Sequence, residues 1–121
     1  MQRPSNRELY NKIKYGKELV DEDKVLPIDP DVIATDAIEL GYQVAKLKSI
    51  LSTLLDEVQN KHYVGGHPPK KSYKPIIKES ELFEFRWVST KLGCDVYLKY
   101  CLKEEIFYLV SLHKHRPTAY K

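Results

Sequence analysis

Between Glu81 and Lys114, apolar residues recur at every second position in three runs, Leu82–Val88, Cys94–Leu102 and Ile106–His113, separated by short polar breaks. Such alternation predicts three sequential antiparallel strands. Placing Leu102 opposite Ile106, around a loop of Lys103, Glu104 and Glu105, pairs Tyr100 with Tyr108, Leu98 with Val110 and Val96 with Leu112. The aliphatic pairs then share one face, and a slip of one residue would send half of them to the other side. The second face carries Asp95, Tyr97 and Lys99 on one strand and Leu109, Ser111 and His113 on the next. In this register Asp95 faces His113, and Tyr97 lies diagonally about 7–8 Å from it. Glu84 and Arg86 join the same face if the first strand runs alongside in phase.

Upstream the period changes to that of helices. Leu9, Ile13 and Val20, with Tyr10 and Leu19, outline one helical face from Asn6 to about Val20, capped by Ser5 or Asn6 and ended by the acidic run Asp21-Glu22-Asp23. Val25–Ile28 reads as an edge strand or an extended linker, since it contains Pro27. Asp29-Pro30-Asp31 is a strong helix start. From there Ile33, Ala37, Leu40, Val44, Leu47, Leu51, Leu54 and Val58 form an apolar stripe reaching about Asn60. The stripe suits packing on the sheet, or pairing with another chain. Gly41 interrupts it, so the segment reads as one helix or as two meeting at Leu40-Gly41-Tyr42.

Residues 61–78 (KHYVGGHPPKKSYKPIIK) hold two glycines, three prolines, two histidines and five lysines, and so form a long loop. Its charge suits a flexible phosphate clamp over the polar sheet face; the plain alternative is a connector that is basic because it is exposed. Residues 1–5 are polar and expected to fray, and 115–121 form a basic tail.

Composition narrows the class. The chain has 121 residues, 42% hydrophobic and 31% charged, which fits a single folded domain and argues against disorder. It divides into a helical part (1–60), a basic loop (61–80), an antiparallel sheet (81–114) and the tail. No apolar run is long enough to span a membrane and no signal-peptide core opens the sequence, so the expected compartment is the cytoplasm. Cys94 and Cys101 lie an odd number of positions apart on one strand, so they point to opposite faces and cannot bridge each other. The net charge of +3 is uneven: residues 1–60 carry 8 basic against 11 acidic side chains, and residues 61–121 carry 12 against 6. A basic half that contains the polar sheet face suggests an anionic partner, RNA or DNA first.

Phosphate-binding and dinucleotide loops, paired CxxC motifs and HExxH are absent from the sequence. His113-x-His115 and the His62/His67 pair are poor metal ligands, with Asp95 the only obvious third group and lysines all around. Neither a metal nor another cofactor is expected. The remaining constellation is His113, Tyr97, Asp95 and Glu84 with the cations Arg86 and Lys99. It suits RNA cleavage by the substrate's own 2′-hydroxyl, which needs proton transfer and cations around a crowded phosphate. His113 is the natural proton-transfer group because an ordinary imidazole titrates near neutrality. Asp95 would orient it, and Tyr97 would stack on a base or hold the phosphate.

The stretch Ala37-Ile38-Glu39-Leu40-Gly41-Tyr42, the helix closing at His62-Tyr63, the strand Asp95-Val96-Tyr97-Leu98-Lys99 and the final strand Ile106–Lys114 resemble the MqsR toxins of the RelE-like mRNA interferases. The similarity spans roughly residues 33–114, and VYLK and LVSLHK are its most specific pieces. The resemblance implies an α+β fold with N-terminal helices on one face of a C-terminal antiparallel sheet of three to four strands. It also implies a cytoplasmic toxin that cuts mRNA, free or on the ribosome, without a metal and is neutralised by a cognate antitoxin. Tyr97 matches the family's functional tyrosine. His113 stands where the family has a lysine, with Lys114 adjacent, and Glu84 stands where it has a glutamine. The family's lysine after the second helix has Lys61 as its nearest counterpart, with Lys70 and Lys71 within reach on the loop. The N-terminal helix falls outside the similarity. The runner-up is a non-catalytic module that binds nucleic acid or protein through the same basic face.

Overall fold

A computed structural model of the protein describes residues 4–115. Residues 1–3 and most of the basic tail, 116–121, lie outside the described residues. The fold is α+β, with three helices followed by a four-stranded mixed sheet. Helix α1 (Asn6–Asp21) starts at Ser5, whose side chain accepts from the Glu8 N–H at 3.0 Å. Pro4 is already buried, so order begins earlier than a frayed N-terminus would allow. Leu9, Ile13, Leu19 and Val20 form the buried face of α1, while Tyr10, expected there, is 57% exposed. Gly16 is also buried, and a Cβ at this position would meet the Phe107 ring at 3.2 Å. Its missing side chain is what lets α1 approach the sheet so closely.

Strand β1 (Val25–Pro27) pairs in parallel with strand β4 (Ile106–Lys114), at the edge where proline costs no ladder bond. This parallel pairing makes the sheet mixed rather than wholly antiparallel. The apolar stripe divides into two helices, α2 (Pro30–Leu40) and α3 (Leu47–Glu57). Gly41 closes α2 with φ +86°, a left-handed conformation that glycine adopts without strain. Most of the stripe, from Ile33 to Val58, is buried in this chain's own core, which removes the motive for pairing with another chain; Val44 is an exposed exception. Lys17 ties α1 to α3 through Ser52 at 2.9 Å and Asp56 at 3.6 Å.

Strands β2 (Phe83–Ser89) and β3 (Cys94–Lys103) complete the sheet in the order β1-β4-β3-β2. The helices cover one face, against Phe83, Phe85, Trp87, Val96, Leu98, Tyr100, Phe107, Leu109 and Leu112. Glu57 at the end of α3 fastens the β2–β3 hairpin to this layer, accepting from Trp87 Nε1 at 3.0 Å and from the Lys91 N–H at 2.7 Å.

The β3–β4 register differs from the expected one. Lys103 pairs with Ile106, so the connection is a two-residue loop, Glu104-Glu105, with φ of +51° and +63°. Tight hairpins take this left-handed geometry at both positions, normally with Asn and Gly, and two glutamates give no such signal. Leu102 therefore faces Phe107, Cys101 faces Tyr108, and Tyr100 faces Leu109. A bulge between Lys99 and Tyr100 then shifts the pairing again, so that Leu98 meets Leu112 and Tyr97 meets His113. Leu109 belongs to the helix-covered core and not to the polar face. Tyr108 and Val110 lie in a second, smaller cluster with Ile77 and Cys101. Cys94 packs against the main core and Cys101 lies in the second cluster, both as free thiols.

Candidate active site on the uncovered sheet face

Alternation along the strands sends Glu84, Arg86, Tyr97, Lys99, Ser111 and His113 to the side of the sheet away from the helices. The other part of that side, around Cys101, Tyr108 and Ile106, is roofed by fully buried Ile77 and by Leu82 at the end of the long loop. What stays uncovered is the half of the sheet that holds the polar residues.

The centre of this half is a pair of rings. Tyr97 and His113 are direct cross-strand partners, stacked with centroids 5.1 Å apart and planes 28° apart. The bulge creates this pairing; the expected register left Tyr97 diagonal to the imidazole. The Tyr97 hydroxyl donates to Glu84 Oε1 at 2.5 Å, and Glu84 is only 8% exposed. Burial, and then the Glu84 carboxyl beside it, push the Tyr97 phenol well above its ordinary value, so it stays protonated. Glu84 thus anchors Tyr97 and is too enclosed to exchange protons freely with a substrate. His113 Nδ1 lies 2.8 Å from the Lys114 carbonyl oxygen. A carbonyl only accepts, so Nδ1 carries the proton and Nε2 of the neutral ring keeps its lone pair.

Asp95 takes another partner. Its carboxylate receives Arg86 Nη2 at 2.7 Å and Nε at 3.2 Å, instead of orienting His113. The Arg86 hydrogen bonds hold the Asp95 carboxyl below its usual range. The cause of the mismatch is the register: Asp95 pairs with Val88, two residues beyond the Arg86–Tyr97 pair, while His113 pairs with Tyr97. Arg86 is thereby partly neutralised as a phosphate contact. Lys114 pairs with Val96, whose side chain enters the helix-covered core, so Lys114 lies on the opposite face from His113 and cannot replace it.

One cation lies beside the ring pair and others line two concavities at the margins of this half of the sheet. Lys99 Nζ lies 6.0 Å from the Tyr97 ring centroid. Lys61 lines a concavity of about 260 Å³ with His62, Arg86, Val88 and Asp95. Lys70 and Lys71 line another, of about 330 Å³, with Ser72, Tyr73, Lys74, Leu82, Lys99 and Val110. Lys74 and Tyr73 are additions that sequence reasoning did not single out; lysine density in the loop was the available signal for Lys74.

The loop that supplies these lysines is a pinned segment rather than a flexible clamp. The Val64 N–H donates to Glu84 O at 2.9 Å, Leu82 N–H to Lys70 O at 2.7 Å, and Ser72 N–H to Ser80 O at 2.9 Å. His62, one of the residues weighed as a metal ligand, accepts the Gln59 N–H on Nδ1 at 2.9 Å. Burial, and then Lys61, lower its pKa. Among the described residues no group of three or more His, Cys, Asp or Glu side chains is arranged to hold a metal ion, and no helix is long and apolar enough to cross a membrane. No protein-family model matches the chain, and no curated protein matches it.

Proposed function

We propose that this protein is a toxin-type endoribonuclease, similar to the MqsR toxins of the RelE-like group, that cuts mRNA in the cytoplasm and is restrained by a cognate antitoxin protein. The observation that carries the reading is the Tyr97–His113 stack on a sheet face left open by the helices and bordered by Lys61, Lys99 and the loop lysines. His113 Nε2 accepts the proton of the ribose 2′-hydroxyl. The 2′-oxygen bonds to phosphorus, the bond from phosphorus to the 5′-oxygen breaks, and that oxygen leaves with a proton from Lys99. The products are a 2′,3′-cyclic phosphate and a 5′-hydroxyl end. Lys99 and Lys61 offset the charge gathering on the phosphate, Tyr97 fixes the imidazole plane, and Glu84 fixes Tyr97. The nucleophile belongs to the substrate, so the reaction has no need of a metal.

Inducible expression with a growth readout tests the reading, together with cleavage of purified mRNA in the presence of EDTA. Wild type should arrest growth and cut RNA, while His113→Ala should fold normally and lose about 10²- to 10⁴-fold in rate, the usual share of general acid–base catalysis. Equal cleavage by both proteins at matched purity would remove His113 from the site. Binding without cleavage, weakening steeply with salt, would favour a non-catalytic RNA binder.

A further inference from the structure

The long loop presents a second feature that the cleavage chemistry does not use. Tyr73 is 89% exposed, beside a cavity bordered by Lys70, Lys71, Lys74 and Lys99. Its backbone is held rather than loose. Ser72 receives the Glu79 N–H at 2.7 Å on its carbonyl and the Lys74 N–H at 3.1 Å on its hydroxyl, and Lys103 Nζ donates to Ile76 O at 3.0 Å. None of the four lysines forms an ion pair among the described residues. An aromatic ring in water on a braced loop, ringed by unpaired cations, has the two parts of a single-strand site: a stacking surface and a phosphate track. At about 330 Å³ the cavity stands at the small end of ligand pockets, with room for one base and not for a helix. Lys99 borders this cavity and also neighbours the Tyr97 ring, so one strand can pass from the loop to the ring pair.

We infer that Tyr73 and its lysines form a nucleotide subsite that stacks an unpaired base beside the cleavage centre and confines the protein to single-stranded RNA. This deepens the proposed function and rests on it for the identity of the strand. In a duplex the base faces are already stacked on one another and offer Tyr73 nothing.

The test is fluorescence anisotropy with a labelled 2′-O-methyl oligoribonucleotide, which cannot be cut, offered as a single strand and as its blunt duplex. Wild type should prefer the single strand. Tyr73→Ala should weaken single-strand binding about 5- to 150-fold, the range for one lost base–aromatic stack, and Tyr73→Phe should restore it. The unfolding midpoint should not move, since the ring is in water. The triple variant Lys70→Gln, Lys71→Gln, Lys74→Gln should flatten the salt dependence of log K by about 2, at roughly 0.7 per phosphate contact. Unchanged binding by Tyr73→Ala in a protein that still cleaves would overturn the subsite and leave the nuclease standing. Loss on Tyr73→Ala in a protein that binds but never cleaves would support the subsite and overturn the nuclease. Failure of wild type to bind either RNA would overturn both.

Discussion

The hydroxyl of Tyr97 offers the sharpest probe of how the site is held. Tyr97→Phe keeps the ring and its 5.1 Å stack on His113, and removes only the donor that reaches Glu84 at 2.5 Å. Glu84 is 8% exposed, so its carboxyl oxygen has little water to turn to. Orphaning a buried acceptor costs about 1–3 kcal/mol, whereas removing both partners is nearly neutral. The cycle of Tyr97→Phe, Glu84→Ala and the double variant, followed by urea unfolding, should therefore give a coupling of about 1–3 kcal/mol. Cleavage should fall about 10- to 100-fold in Tyr97→Phe, since a loosened ring misplaces the imidazole by a fraction of an ångström to an ångström. RNA binding should change far less, because the lysines are untouched. Costs that add to within about 0.5 kcal/mol would mean that the two groups act independently. Together with wild-type cleavage by Tyr97→Phe, that would refute the view that Glu84 aligns the pair.

Two further outcomes follow from the frame around the site. Replacing Glu104-Glu105 by Asn-Gly should stabilise the protein by about 1–2 kcal/mol in thermal unfolding, because both positions have positive φ that glutamate adopts only at a cost; an unchanged midpoint would show that this turn carries no strain. Glu57→Gln should cost about 2 kcal/mol at pH 7, since the replacement has one acceptor for the two donors Trp87 and Lys91. Burial alone would raise the Glu57 carboxyl, but hydrogen bonds from Trp87, Ser89, Lys91 and Thr90 outweigh it and hold the group below its ordinary 4.5. A folded-state pKa below the unfolded one gives stability that is complete above the unfolded value and fades as pH falls through the folded value. The gap between wild type and Glu57→Gln should accordingly close on acidification below about pH 4.5; a gap constant down to pH 3 would contradict the charge-assisted anchor.

Residue pattern alone was enough for α1, for the helical stretch after Asp29 without its division into two helices, for the three long strands and for most of the polar face. Period two placed Glu84, Arg86, Tyr97, Lys99 and His113 on one side because alternation is a local property of an extended chain. The Ser5 cap and the strong Asp29-Pro30-Asp31 start are local too, and α1 and α2 begin where those residues stand. The stripe from Ile33 to Val58 likewise announced a buried surface without saying what would bury it.

Partnerships across the sheet were decided elsewhere. Whether Asp95 meets His113 or Arg86 depends on a two-residue turn and a bulge, neither of which leaves a mark in the sequence: the turn uses glutamates where glycine or asparagine would be the signal, and the bulge, between Lys99 and Tyr100, has no glycine on either strand. The same shift brought Leu109 into the core and set Tyr97 face to face with His113. The position of the loop lysines was equally a tertiary outcome, since Lys70, Lys71 and Lys74 share a cavity with Lys99 where Ile77 packs into the second core cluster and the Leu82–Lys70 and Ser72–Ser80 hydrogen bonds hold the chain. Side-chain alternation follows from the geometry of a single strand, so the sequence by itself determined which residues share a face wherever no bulge interrupts the strand. Register, bulge and loop docking are set by packing between segments distant along the chain, so only the folded structure decided which of those residues touch.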